Sequence, residues 1–330
     1  IQIFQFTDWN NMSETWHGEN ILGFREVRRR LPIRTESLTQ LGRGALHTEA
    51  TVVSGPDATL YYAHVGGVSS TLADLNSEYT GIVVPITWRG EFVINGELVT
   101  PSSVYLPADE TLFQAYGNER TTVAAALHRQ NFIATVAALG GVTPDDVRLA
   151  GGALELAPAV MASARCSLNE LFKQYADPTH QKPLPAHSTE QLSRRAAQIL
   201  TELYLQAQPA KLPKIRTATK LARTVRKAEE CFAAAQAGPV SLADLCVAAG
   251  VSQATLYHAF MVMCGSSPIA FFKKRRLTDA RQALLCSAPK TGLIKRAALG
   301  AGLTHMGRFS REYHQLFGEL PTTTLNLPSN

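Results

Sequence analysis

From about residue 50 the chain alternates apolar and polar positions in short runs. Ala50-Thr-Val-Val53, Thr59-Leu-Tyr-Tyr-Ala63 and Gly81-Ile-Val-Val-Pro-Ile-Thr-Trp88 place β-branched and aromatic residues at the spacing of half-buried strands. The sharpest local signal is Glu91-Phe-Val-Ile-Asn95-Gly96-Glu-Leu-Val-Thr100. Asn-Gly between two alternating runs predicts a type I′ hairpin, because both central residues of that turn take positive φ. Strand-like runs continue to about residue 130 and predict a small barrel or sandwich. From Pro144 the period becomes helical, over Leu154–Arg165, Leu168–Tyr175 and Thr189–Gln206, with a Pro-rich loop at 177–187 between the last two.

The C-terminal third has a different pattern. Ser241-Leu-Ala-Asp-Leu-Cys-Val-Ala-Ala-Gly250-Val-Ser-Gln-Ala-Thr-Leu-Tyr-His-Ala-Phe260 reads as a short amphipathic helix, a turn at Gly250, and a second helix that Ser252 can cap. Ile294-Lys-Arg-Ala-Ala-Leu-Gly-Ala-Gly302-Leu-Thr-His-Met-Gly-Arg-Phe309-Ser-Arg-Glu-Tyr313 repeats the plan, with Gly302 at the turn and Thr304 as the expected cap. A second helix presented in this way is the element that enters a DNA major groove. Between the units, Pro268–Cys286 carries Phe271, Phe272, Leu277, Ala280, Leu284 and Leu285 at helical spacing, interrupted by Lys273, Lys274, Arg275, Arg276 and Arg281. Its 19 residues would make a rod of roughly 28 Å. That is close to the ~34 Å between successive major grooves on one face of the duplex.

These residues resemble the AraC/XylS-type transcriptional regulators, over about Lys220 to Leu325. The resemblance rests on Ser241-Leu-x-x-Leu, Gly250-Val-Ser252, Leu256-x-x-x-Phe260, Gly265-x-Ser-Pro268, Arg276-Leu-x-x-Ala280 and Leu284-Leu285. It continues through Ala298-x-x-x-Gly302-Leu303, Phe309-Ser310-x-x-Tyr313 and Leu316-Phe317-Gly318-x-x-Pro321. Ala297-Ala298 replaces the usual large-apolar-Ala pair, and Leu303 a common Phe. The resemblance implies promoter DNA and, for an activator, RNA polymerase as partners, a homodimer, and a cupin-type barrel in the N-terminal part.

Charge divides the chain the same way. Residues 211–330 hold 17 Lys and Arg against 6 Asp and Glu, while the rest holds 15 against 21. A basic module joined to a mildly acidic one suits a phosphate-binding domain attached to something else. No run of 18 apolar residues exists, so no membrane-spanning helix is expected. Ile1 to Asp8 lacks the basic start and apolar core of a secretion signal, and a cytoplasmic location is expected. Five cysteines without a CxxC pair fit reduced thiols, four of them on helices in apolar surroundings. No phosphate-binding Gly-rich loop, GxSxG or HExxH is present. His47 and Glu49 lack the HxH pair of a metal-binding cupin, so neither enzyme chemistry nor a metal site is expected.

One N-terminal feature exceeds scaffold. Arg25-Glu-Val-Arg28-Arg29-Arg30-Leu-Pro-Ile-Arg34 concentrates guanidinium groups that can fork phosphate oxygens and stack on planar bases. Its two Arg-x-x-x-Arg spacings resemble the arginine motif of PilZ domains, which bind cyclic di-GMP. Their second motif is matched only out of register by Asn76-Ser-Glu-Tyr-Thr-Gly81. A surface arginine run is the plain alternative.

The expectation is therefore an α+β chain: a cupin-like β-rich effector domain (1–140), a helical linker or dimerisation layer (141–210), and an all-α double helix-turn-helix domain (211–330). It is expected to be a sequence-specific DNA-binding regulator, an activator gated by a small-molecule effector. The candidate effector is cyclic di-GMP bound by Arg25, Arg28, Arg29, Arg30 and Arg34, with no cofactor. The alternative is a ligand-independent or partner-gated regulator whose barrel only dimerises. DNA is expected to meet Gln253, Ala254, Thr255, Tyr257 and His258 in the first unit, and His305, Met306, Arg308 and Arg311 in the second. The helices from Leu154 to Gln206, apolar with no obvious core of their own, are the expected dimer surface.

Overall fold

A computed structural model describes residues 14–18, 32–55, 58–106, 111–149, 151–173, 186–209, 215–287 and 292–327. The N-terminal half builds two sheets, with every described pairing antiparallel. The strands are β1 (Glu14–Gly18), β2 (Ile33–Gln40), β3 (His47–Ser54), β4 (Ala58–Gly66), β5 (Ser69–Leu75), β6 (Tyr79–Trp88), β7 (Phe92–Ile94), β8 (Glu97–Leu98), β9 (Ser103–Leu106), β10 (Leu112–Gly117), β11 (Arg120–His128), β12 (Gly152–Glu155) and β13 (Gln208–Pro209). One sheet runs β1-β3-β4-β11-β6-β9-β12-β13, the other β2-β5-β10-β7-β8. The expected cupin barrel is not closed; the strands divide into two facing sheets.

The hairpin read from Asn95-Gly96 is present between β7 and β8, with φ of 47° and 81° at the two residues. Asn95 is also buried, which its turn role alone does not require. Its Nδ2 donates to Tyr105 Oη at 2.6 Å and to the Leu112 carbonyl at 2.8 Å, and its Oδ1 accepts from the Gln114 amide at 2.6 Å. The turn is thus tied to both sheets.

Side chains alternate across β10, as the pleat demands. Phe113 and Ala115 face the large sheet, joining Phe92, Ile94, Val99 and Tyr105. Leu112 and Tyr116 face the opposite way, into the C-terminal domain. Arg120 closes one corner of the small sheet, fully buried, donating to Ser69 Oγ, Thr71 Oγ1 and the carbonyls of Gly117 and Asn118. Burial away from water lowers its pKa to about 10.

Three helices cover the outer face of the large sheet: α1 (Arg129–Gly140), α2 (Pro158–Lys173) and α3 (Ala186–Gln206). Phe132, Met161, Leu168, Phe172, Leu192, Leu200 and Leu203 pack with Val53, Leu60, Val84, Leu106 and Val123 of the strands. The expectation that these helices lack a core of their own is therefore corrected. Their apolar faces are used against the sheet, which removes the reason for placing a dimer contact there. Leu154–Glu155, expected to start a helix, is strand: Leu154 pairs with Val104 of β9, and one continuous helix begins at Pro158.

The C-terminal domain comprises α4 (Ile215–Ala234), α5 (Leu242–Ala249), α6 (Gln253–Cys264), α7 (Pro268–Leu285), α8 (Leu293–Gly300), α9 (Met306–Phe317) and α10 (Pro321–Leu325). It has two cores. Leu221, Val225, Leu245, Leu256, Phe260, Met263 and Phe271 form the first, which also takes in Leu41, Leu72 and Leu112 from the small sheet. Leu277, Leu284, Ala298, Phe309, Tyr313 and Phe317 form the second. Among the described residues no single helix is long and apolar enough to cross a membrane.

Candidate nucleic-acid interface

In the first unit Ser241 caps α5 reciprocally. Its Oγ accepts from the Asp244 amide at 3.2 Å, while Asp244 Oδ2 accepts from the Ser241 amide at 2.8 Å. The Ser241 amide and hydroxyl hold the Asp244 carboxyl below its ordinary range. Gly250 ends the helix at φ 66°, and α6 leaves at 87° to α5. Ser252 Oγ accepts from the Thr255 amide at 3.3 Å and starts α6, as its place in the sequence implies. Leu256, Ala259, Phe260, Met263 and Cys264 point inward. Gln253, Ala254, Tyr257 and His258 are exposed, and Thr255 is half-buried beside Ser252. Sequence reasoning missed Met261, which lies 53% exposed one turn beyond Tyr257 and His258, on the same face.

The second unit differs at its cap. His305, not Thr304, holds the N-cap position of α9 and makes no side-chain cap, and Thr304 is exposed one residue earlier. His305, Arg308 and Arg311 are exposed, while Met306 is half-buried against the second core. Arg308 Nε donates to Glu312 Oε1 at 2.7 Å, which leaves both Nη groups for another partner. Lys273 of α7 reaches the same carboxylate oxygen at 2.7 Å. Burial alone would raise the Glu312 pKa, but these two cations hold it below the usual carboxylate range.

The basic run of α7 proves largely structural. Lys274 Nζ donates to the Leu41 carbonyl at 2.7 Å, Arg275 pairs with Asp279 at 3.0 Å, and Arg281 pairs with Glu319. Arg276 fastens the two units together. One Nη donates to the Ala301 carbonyl at 2.9 Å, the other to the Gly238 carbonyl at 2.7 Å, and the guanidinium lies 4.9 Å from the Phe232 ring centre. Gly302, at φ 75°, leaves room for it: a Cβ there would collide with Arg276 and with the Ala237 carbonyl.

The β-domain touches both units. Gly265, at φ 60°, admits the Tyr116 ring so closely that a Cβ would overlap it. Gln114 Nε2 donates to Ser70 Oγ at 2.5 Å and contacts Cys264 Sγ at 3.6 Å, and the Gln40 amide donates to Thr278 Oγ1 at 3.2 Å. The Gly44 amide donates to the Leu316 carbonyl at 2.9 Å, reaching the second unit. Within this contact Glu229 of α4 is buried. Ser37 Oγ donates to its Oε2 at 3.4 Å, and its Oε1 has no hydrogen-bond partner. Desolvation pushes its pKa up to about 7.

Other sequence-marked residues fall elsewhere. Arg25, Arg28, Arg29 and Arg30 lie outside the described residues. Arg34 sits on β2 at a bulge in its register with β5. Asn76 is in the β5–β6 turn. His47 pairs with Glu49 at 2.8 Å on the surface, and the described residues contain no metal-binding cluster of three or more His, Cys, Asp or Glu. Cys264 is buried, but Cys166 and Cys286 are exposed rather than in a core.

Two bent helix pairs with exposed second helices, joined by one continuous helix, define a DNA-binding domain of the double helix-turn-helix class. Residues 245–326 match the family model described as a helix-turn-helix domain. Over 90 residues the chain is 38% identical to the XylDLEGF operon transcriptional activator 2 of Pseudomonas putida, covering 27% of this chain and 56% of that protein. Over 101 residues it is 33% identical to the probable thc operon regulatory protein of Rhodococcus erythropolis, covering 31% and 30%. A solved structure of a probable AraC family transcriptional regulator from Rhodopseudomonas palustris is 36% identical, covering 31% of this chain and 94% of that one with a TM-score of 0.27. The chain thus spans about half the length of the first relative and under a third of the second. Its C-terminal part is a helix-turn-helix domain, and the relatives that carry a similar one are named as transcriptional activators and regulators, not enzymes.

Proposed function

We propose that the whole chain is an AraC-type transcriptional activator that reads promoter DNA with both units and is gated through its β-domain. The observation that carries this is the pair of exposed reading faces, on α6 and α9, held on one bridging helix. Sequence-specific binding follows from Gln253, Ala254, Thr255, Tyr257 and His258 in one groove and from His305, Met306, Arg308 and Arg311 in the next. Arg308, held at Nε by Glu312, offers the fork that fits a guanine edge. Anisotropy titrations on a duplex selected from a random library test this. Arg308→Ala is expected to weaken binding about ten- to a hundred-fold and to relax preference at one base pair. Unchanged affinity and preference would remove Arg308 from the interface.

Gating is supported by the docking of the β-domain onto both units, since a change in the small sheet reaches α6 through Tyr116 and α9 through Gly44. The space around Leu60, Val84, Leu106 and Val123 is filled by side chains, so a charged effector belongs outside that core. The arginine cluster Arg25 to Arg34 is the site we assign to it, with cyclic di-GMP as the ligand. Calorimetric titration of wild type beside Arg25→Ala, Arg29→Ala, Arg30→Ala and Arg34→Ala tests it, and wild-type affinity weaker than about 100 μM ends the assignment. The homodimer and the contact with RNA polymerase belong to the same reading and are carried by the family resemblance.

A further inference from the structure

The two units differ sharply in charge. Across residues 231–272, which hold both helices of the first unit's bent pair, the single Asp, Glu, Lys or Arg is Asp244, and that carboxylate is engaged in capping α5. The exposed cations nearest in the chain, Lys220, Arg223 and Lys227, sit on α4, outside the reading pair. The reading helix α6 carries no cation; its outward groups are an amide, a methyl, a phenol, an imidazole and a thioether. The second unit carries Lys295 and Arg296 on α8 and Arg308 and Arg311 on α9, all exposed. The cations of α7, between the units, are drawn into internal partners: Leu41, Asp279, Ala301, Gly238, Glu319 and Glu312. Phosphate attraction requires cations, whereas base edges are read by hydrogen bonds and methyl contacts that neutral groups can supply.

We propose that the two units divide the work on DNA: the second supplies the salt-sensitive grip, with Arg308 reading a single base pair, and the first supplies the salt-insensitive discrimination between bases at the remaining positions. This deepens the DNA-binding reading above and rests on it. The second unit engages any duplex first, through Lys295, Arg296 and Arg311. The first then tests the adjoining groove. Gln253 is the group that fits adenine N6 and N7 together, and the Ala254 methyl fits a thymine methyl. A wrong sequence leaves the first unit unbound while the second stays on phosphate.

The experiment measures affinity from low to high salt for the full chain on two probes, a mixed-sequence duplex and the duplex that wild type selects from a random library. Each phosphate contact contributes about 0.9 to the slope of log K against log salt. Charge removal at Lys295, Arg296 and Arg311 together is expected to flatten that slope by about two to three on both probes. Gln253→Ala and Tyr257→Ala are expected to leave the slope unchanged and to bring the selected duplex toward the mixed one by about ten-fold or more. Circular dichroism melts establish that these surface variants fold. First-unit variants that flatten the slope, or second-unit variants that leave it intact, overturn the division while leaving DNA binding standing. Wild type that binds neither probe overturns the DNA-binding reading itself.

Discussion

Glu229 makes the stability of this chain depend on pH in a direction opposite to that of ion-paired carboxylates. It lies where α4 meets β2, with Ser37 donating to one oxygen and nothing donating to the other. Arg275 is the nearby cation that could favour the charged form, but it is already paired with Asp279, whose own charge opposes ionisation of Glu229. Desolvation therefore wins and the pKa rises from 4.5 to about 7. Between these values the folded chain keeps a proton that the unfolded chain has released. Stability is full below pH 4.5, falls as pH rises through about 7, and is flat above. That rise corresponds to about 3 kcal/mol. Glu229→Gln removes this titration while keeping the shape of the side chain. Urea denaturation followed by circular dichroism between pH 5 and 8.5 is expected to show wild type losing about 2–3 kcal/mol relative to Glu229→Gln as pH rises. Parallel pH profiles for the two chains would refute the burial argument. Asp279→Asn, which frees Arg275, is expected to move the wild-type loss to lower pH.

Two further perturbations address packing. Gly265→Ala must place a methyl inside the Tyr116 ring and strain a positive φ, so it is expected to lower thermal stability, with Tyr116→Ala restoring part of the loss. Additive effects in that double-mutant cycle would show that the two residues do not meet. Asn95→Ala removes three buried hydrogen bonds and leaves the Gln114 amide without its Asn95 acceptor, an expected cost of about 2–4 kcal/mol in chemical denaturation; a cost under about 1 kcal/mol would mean that the turn is held by its backbone alone.

Where a local rule decides the conformation, the sequence announces it. Asn95-Gly96 needs two positive φ angles, and Gly250 and Ser252 are the residues a sharp helix-to-helix turn requires, so hairpin and first unit were legible. Leu154 was misread because Gly-Ala-Leu-Glu-Leu suits either element, and only its partner on β9, about 50 residues away, decides. The contact between the domains left no pattern to read. Ser37, Gln40, Ser70 and Gln114 are polar, and alternation assigns such residues to water. Here they face another domain, where hydrogen bonds replace solvent. The α7 cations mislead in the same way, since charge on a helix face gives no sign of whether its partner is phosphate, solvent or a carbonyl inside the same chain.

On the proposed reading, Arg276 sets the distance at which DNA is read. By joining the Gly238 and Ala301 carbonyls across the bridging helix, it fixes the phase between α6 and α9 before any duplex is met. A slack connection would let the two helices find recognised segments at many separations. A stiff one turns the chain into a ruler. Each base pair inserted between the segments rotates the second groove by about 34°, carrying it away from α9 and leaving only one helix seated. At the fitting separation the second contact forms within a molecule already bound, so its effective concentration is high and it costs little further freedom. On that reading separation is discriminated as well as base identity, by a guanidinium already committed to two carbonyls of its own chain.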